Sequence, residues 1–96
     1  FANSEHGARV FGSLTSAKFN DCVFNDNSSG GILVGNKATI HLHGEATAIH
    51  SNRYGVVTSN SAKVLLHLPS NHNTFYNNTR EDRNTDFGGT ITNVED

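Results

Sequence analysis

Asparagine recurs in this chain at a spacing that few folds can accommodate. Asn3, Asn27, Asn52 and Asn78 are separated by 24, 25 and 26 residues, and the last three each follow an apolar residue by three positions, namely Phe24, Ile49 and Phe75. A period of this size marks a repeat architecture, in which one unit cannot bury a face alone and stacked neighbours supply the core.

Two further features keep step with the asparagines. A glycine before a β-branched or apolar run follows each of the first three: Gly7 before Val10, Gly31 before Ile32-Leu33-Val34, and Gly55 before Val56-Val57. In the fourth unit Gly88-Gly89 before Thr90-Ile91 takes this part, delayed by a polar loop inserted from Thr79 to Asp86. A short alternating run comes next. Ile40 and Leu42 match Val64 and Leu66 as inward residues, and Thr39, His41 and His43 match Lys63, Leu65 and His67 as outward ones. Ser16-Ala17-Lys18-Phe19 is the earlier counterpart, with a register ambiguous by two residues.

Each unit therefore reads as three short strands separated by Gly, Asn and Ser turns. Coils stacked about 4.8 Å apart place equivalent side chains over one another, so Asn3, Asn27, Asn52 and Asn78 become an internal ladder of amides. The expected fold is all-β, a right-handed parallel β-helix of about four coils of roughly 25 residues. Its single domain covers 1–96, with coils near 1–27, 28–52, 53–78 and 79–96.

Composition agrees with a narrow core, because hydrophobic residues make up only 34% of the 96. Seven Lys and Arg against nine Asp and Glu are spread along the chain without the basic stripe that a nucleic-acid reader requires. No apolar stretch is long enough for a membrane span. One cysteine excludes an internal disulfide framework, and Cys22 reads as a small inward-packing hydrophobe.

The run Asp21-Cys22-Val23-Phe24-Asn25-Asp26-Asn27 through Gly31-Ile32-Leu33 resembles the right-handed β-helix repeats related to pectate lyases, and the likeness covers 16–78. The stretches His41 to Asn52 and Ile91 to Asp96 resemble uncharacterised β-helix proteins of marine microalgae. The first resemblance implies a solenoid on which polysaccharide lyases and hydrolases line one sheet with stacked carboxylates. The second implies an algal source, with plastid residence; an extracellular protein is the alternative.

The carboxylates do not follow the enzymatic pattern. Asp26 aligns with Ser51 and Asn77, Glu45 aligns with Pro69, and Asp21 aligns with apolar residues or Asn, so the chain carries no expected catalytic residue. The polar constellation is histidine: His43 and His67 occupy one place in adjacent coils, with His41 beside them and Glu45 two residues on. Such a set offers nitrogen and oxygen donors for zinc or copper. His6, His50 and His72 join no cluster. Of two glycosylation acceptor sequences, Asn27-Ser28-Ser29 points into the ladder and only Asn77-Asn78-Thr79 is reachable.

In the interrupting segment, Arg80, Glu81, Asp82 and Arg83 read as an interaction loop projecting from a rigid scaffold. Neither end of the chain shows a capping helix, so the expectation is a segment of a longer β-helix or a subunit whose ends a partner covers. Function is then that of a non-catalytic structural or protein-interaction module, bound to other subunits or to flanking coils and needing no cofactor. The alternative is a fragment of a carbohydrate-active β-helix enzyme or a carbohydrate-binding module, for which calcium is the expected ion.

Overall fold

The computed structural model describes residues 1–94; of the coil expected over 79–96, residues 95 and 96 lie outside the described ones. The first coil holds β1 (His6–Phe11), β2 (Ser16–Asn20) and β3 (Val23–Asn25). The second holds β4 (Gly30–Gly35), β5 (Thr39–His43) and β6 (Ala48–His50). The third holds β7 (Tyr54–Thr58), β8 (Lys63–His67) and β9 (Phe75–Tyr76), and the fourth β10 (Glu81–Thr85) and β11 (Thr90–Asn93). Equivalent strands pair in parallel into three sheets, β1-β4-β7-β10, β2-β5-β8-β11 and β3-β6-β9. The chain is a parallel β-solenoid of four turns. Among the described residues no helix is long and apolar enough to cross a membrane.

Register puts like over like. Ala17, Ile40, Val64 and Ile91 form one inward column, and Phe19, Leu42 and Leu66 another, which resolves the position of β2. Ala8, Ile32 and Val56 fill the first sheet, while Phe24, Ile49 and Phe75 fill the third. Ile32, Ile40, Leu42, Ile49, Val64 and Leu66 are fully buried, each clamped between rungs. Cys22 packs partly buried against this core and donates weakly to the Asn20 carbonyl.

The asparagine ladder runs through Asn27, Asn52 and Asn78. Asn27 Nδ2 donates to Asn52 Oδ1 at 2.9 Å, and Asn52 Nδ2 donates to Asn78 Oδ1 at 3.2 Å. Each amide oxygen also accepts the backbone N–H of the rung before it, as Ser4 N donates to Asn27 Oδ1. The first-coil member is therefore Ser4, and the expectation for Asn3 is corrected. Asn3 shares a column of left-handed residues with Asp26, Ser51 and Asn77, all with φ between 54° and 60°. Asparagine serves both roles, ladder and left-handed turn, and spacing alone cannot separate adjacent positions.

Residues 79–86 also depart from their expected form. Glu81–Thr85 is a strand, paired with β7 through Glu81 to Tyr54 and Arg83 to Val56, and not an inserted loop. Gly88 and Gly89 belong to the next turn, beside Ser61 and Ala62, since Ser61 N donates to the Phe87 carbonyl. Asp82 stands where Gly7, Gly31 and Gly55 stand in the other coils. A strand at the end of a stack has a neighbour on one side only, so β10 is held by main-chain bonds and keeps a polar, exposed sequence.

Candidate functional site

Alternation in β5 sends Ile40 and Leu42 inward and leaves His41 and His43 on the outer face of the sheet. In β8 the same alternation turns His67 outward, in register with His43. The His43 and His67 rings stack at 4.1 Å between centroids with only 5° between planes. His41 is in register with Leu65 but reaches diagonally, and its Nδ1 lies 2.9 Å from His67 Nε2. One of those nitrogens carries the hydrogen and the other accepts it.

Candidate ligand nitrogens of the three side chains all lie within 4.8 Å of one another, and each residue is half-buried. Structure thus brings together three of the four residues expected from sequence. Glu45 is exposed and outside this group; its backbone carbonyl instead accepts from His72 Nε2 at 2.8 Å. From β2, Lys18 is in register with His41 and Asn20 with His43, and both side chains are exposed. The site therefore has a cation on one flank, free to extend into water, and Leu65 on the other.

The remaining histidines are dispersed. His50 stacks on Tyr76 at 4.5 Å, and His72 also pairs with Thr74 Oγ1. His6 sits near the first-coil edge with its Nδ1 buried and without a hydrogen-bond partner; Glu5 Oε1 is 3.5 Å away, too far for more than an attraction. Burial lowers the His6 pKa below 6.5, with Glu5 opposing and Arg9 reinforcing the shift.

No column of carboxylates appears among the described residues. Asp26 shares its column with Asn3, Ser51 and Asn77, and Asp21 spends its carboxylate on the Ala46 N–H at 3.1 Å. Of the two glycosylation acceptors, Asn27 is 3% exposed within the ladder and Asn77 is exposed.

Sequence reasoning missed a second, external ladder. Asn60 Nδ2 donates to Asn36 Oδ1 at 3.2 Å at the turn before each second-sheet strand, where both residues are left-handed. Their spacing of 24 repeats the coil length and was the available sign. Also missed was the use of Arg83, whose guanidinium lies 5.0 Å from the Phe75 ring centroid and donates to Asn93 Oδ1 at 2.7 Å. No family model, curated protein or solved structure matches this chain.

Proposed function

We propose that this solenoid is a non-catalytic structural module, and that the face of its first coil is covered by a further β-coil, from a partner subunit or from flanking coils of the same protein. The observation behind this reading is a difference between the two ends. In the fourth coil three of the inward columns finish on Arg83, Thr85 and Asn93 and one on Ile91, and the Arg83 side chain lies across Phe75, as in the polar capping repeats of solenoids.

The first coil is covered only over its third strand, by Phe1 and Ala2, and carries no polar cap over β1 and β2. Ala8, Val10, Ala17 and Phe19 pack on the second coil and are part-exposed, and Phe1, which stacks on Phe24 at 4.8 Å and meets Phe19 edge-on at 5.5 Å, is itself 54% exposed. Strands β1 and β2 are the edges of their sheets at this end, whereas β3 is met by the first residues of the chain, Ala2 bridging to Asn25 and the Asn25 N–H donating to the Phe1 carbonyl. An added rung would bury the apolar columns and pair the edge backbone together, which is how extended chains add to exposed sheets. The likeness to pectate-lyase-related repeats supports the coil geometry and supplies no catalytic residue.

Sedimentation of residues 1–96 over a range of concentrations tests the proposal. The expected result is reversible self-association, or a gain in stability when a preceding coil or partner is supplied. A highly stable monomer at every concentration, indifferent to added coils, overturns it.

A further inference from the structure

We infer that His41, His43 and His67 form a binding site for one borderline transition-metal ion of the Zn²⁺ or Cu²⁺ class, on the outer face of the second sheet. Three observations converge. Two donors come from one strand at positions i and i+2, which alternation places on one face, and the third comes from the adjacent rung in register. All three candidate nitrogens lie within 4.8 Å of one another, and one pair is already at 2.9 Å. A tetrahedral ion with metal–nitrogen bonds of about 2.0–2.1 Å holds its donors roughly 3.3 Å apart, so side-chain rotation alone completes the set.

The backbone beneath the site is held rigidly. Ile40, Leu42, Val64 and Leu66, the inward residues that alternate with the ligands, are all fully buried, so the Cα positions are fixed before any ion arrives. Without metal, the close nitrogens of His41 and His67 share a hydrogen; an ion replaces that hydrogen and must find neutral imidazoles.

The donor set also selects the ion. Three imidazole nitrogens with no carboxylate suit zinc, copper or nickel, whereas calcium and magnesium require oxygen. Three protein ligands on an open face leave a fourth position for water or an external group. Among the described residues Lys18 is the one cation in register with the cluster, and its exposed side chain turns outward at small cost. The site lies on the outer face of the sheet and is independent of how the ends of the solenoid are covered.

Titration of residues 1–96 with ZnCl₂ by calorimetry, and with Co²⁺ by visible absorption, tests it. Expected is saturable uptake of one ion per chain, with the intense absorption of low-coordinate Co²⁺. His43→Ala and His67→Ala are each expected to weaken uptake by at least ~100-fold, the upper end of what loss of a mere supporting group costs. His50→Ala and His72→Ala serve as controls and bind as the parent does. Should a variant fail to fold, ring resonances of the parent replace it: Zn²⁺ is expected to shift those of His41, His43 and His67 and to leave those of His6, His50 and His72 in place. Absence of saturable uptake, uptake indifferent to His43 and His67, or zinc-induced shifts at the other rings overturns the assignment.

Discussion

The side-chain oxygen of Asn52 accepts two hydrogen bonds from Asn27, one from its backbone N at 3.0 Å and one from Nδ2 at 2.9 Å. Asn52 Nδ2 in turn donates to the Phe24 carbonyl and to Asn78 Oδ1, in a setting only 1% exposed. In Asn52→Leu the Asn27 N–H and the Phe24 carbonyl lose these partners in a dry interior, at about 1–3 kcal/mol for each group. The variant is expected to lose roughly 3 kcal/mol or more, read as a lower urea midpoint at unchanged slope. Asn3→Ala, outside the ladder, is expected to lose only about 1 kcal/mol, from its left-handed backbone. Equal losses would place Asn3 inside the ladder and contradict its left-handed turn position.

Gly31 has no room for a side chain. A methyl group there would lie 2.7 Å from the Gly55 carbonyl oxygen and 2.9 Å from Asn52 Nδ2, both fixed parts of the next rung. Its neighbour Gly30 would meet only the His6 ring, at 3.2 Å, and more distant backbone. Gly31→Ala is therefore expected to destabilise by about 2–3 kcal/mol and Gly30→Ala by less than ~1 kcal/mol, compared by thermal unfolding.

Phe87 holds a left-handed backbone, with φ 44°, and is 74% exposed. It occupies the place of Asn36 and Asn60, because the Lys37 N–H bonds to the Asn60 carbonyl as the Ser61 N–H bonds to that of Phe87. Phe87→Asn relieves a bulky residue in a poor conformation and extends the external ladder by one amide. A gain of about 1 kcal/mol in unfolding free energy is expected, and a loss argues against the column.

What the sequence showed plainly was whatever two neighbouring rungs enforce. Asn27, Asn52 and the inward pairs Ile40 with Val64 and Leu42 with Leu66 were legible because each lies between rungs and repeats, and Asn78 because it ends the same ladder at the same period. The terminal strand Glu81–Thr85 was not, since a strand with one neighbour needs no apolar alternation and reads as a polar loop. Ser4 was hidden because only its backbone N–H enters the ladder. At the histidine site the His43 and His67 pair was readable from register, whereas the contact of His41 with His67 is diagonal and depends on side-chain reach.

His6 links stability to pH. Its pKa in the folded chain lies below 6.5, chiefly through burial, so on acidification the unfolded chain takes up this proton first. Above 6.5 both states are neutral and His6 makes no difference; as pH falls through 6.5 toward the folded value, the native state loses ground. His6→Gln removes this loss. Between about pH 8 and about pH 5, the parent is expected to lose more stability than the variant in urea titrations, and an equal or smaller loss contradicts the burial of a neutral imidazole.

The stacking of side-chain amides from successive turns underlies the whole account, and a nitrogen-15-edited NOESY spectrum of the labelled chain tests it most directly. Cross-peaks are expected to join the carboxamide protons of Asn27 to Asn52 and of Asn52 to Asn78, across separations of 25 and 26 residues. Carboxamides that show cross-peaks to sequence neighbours alone would contradict it.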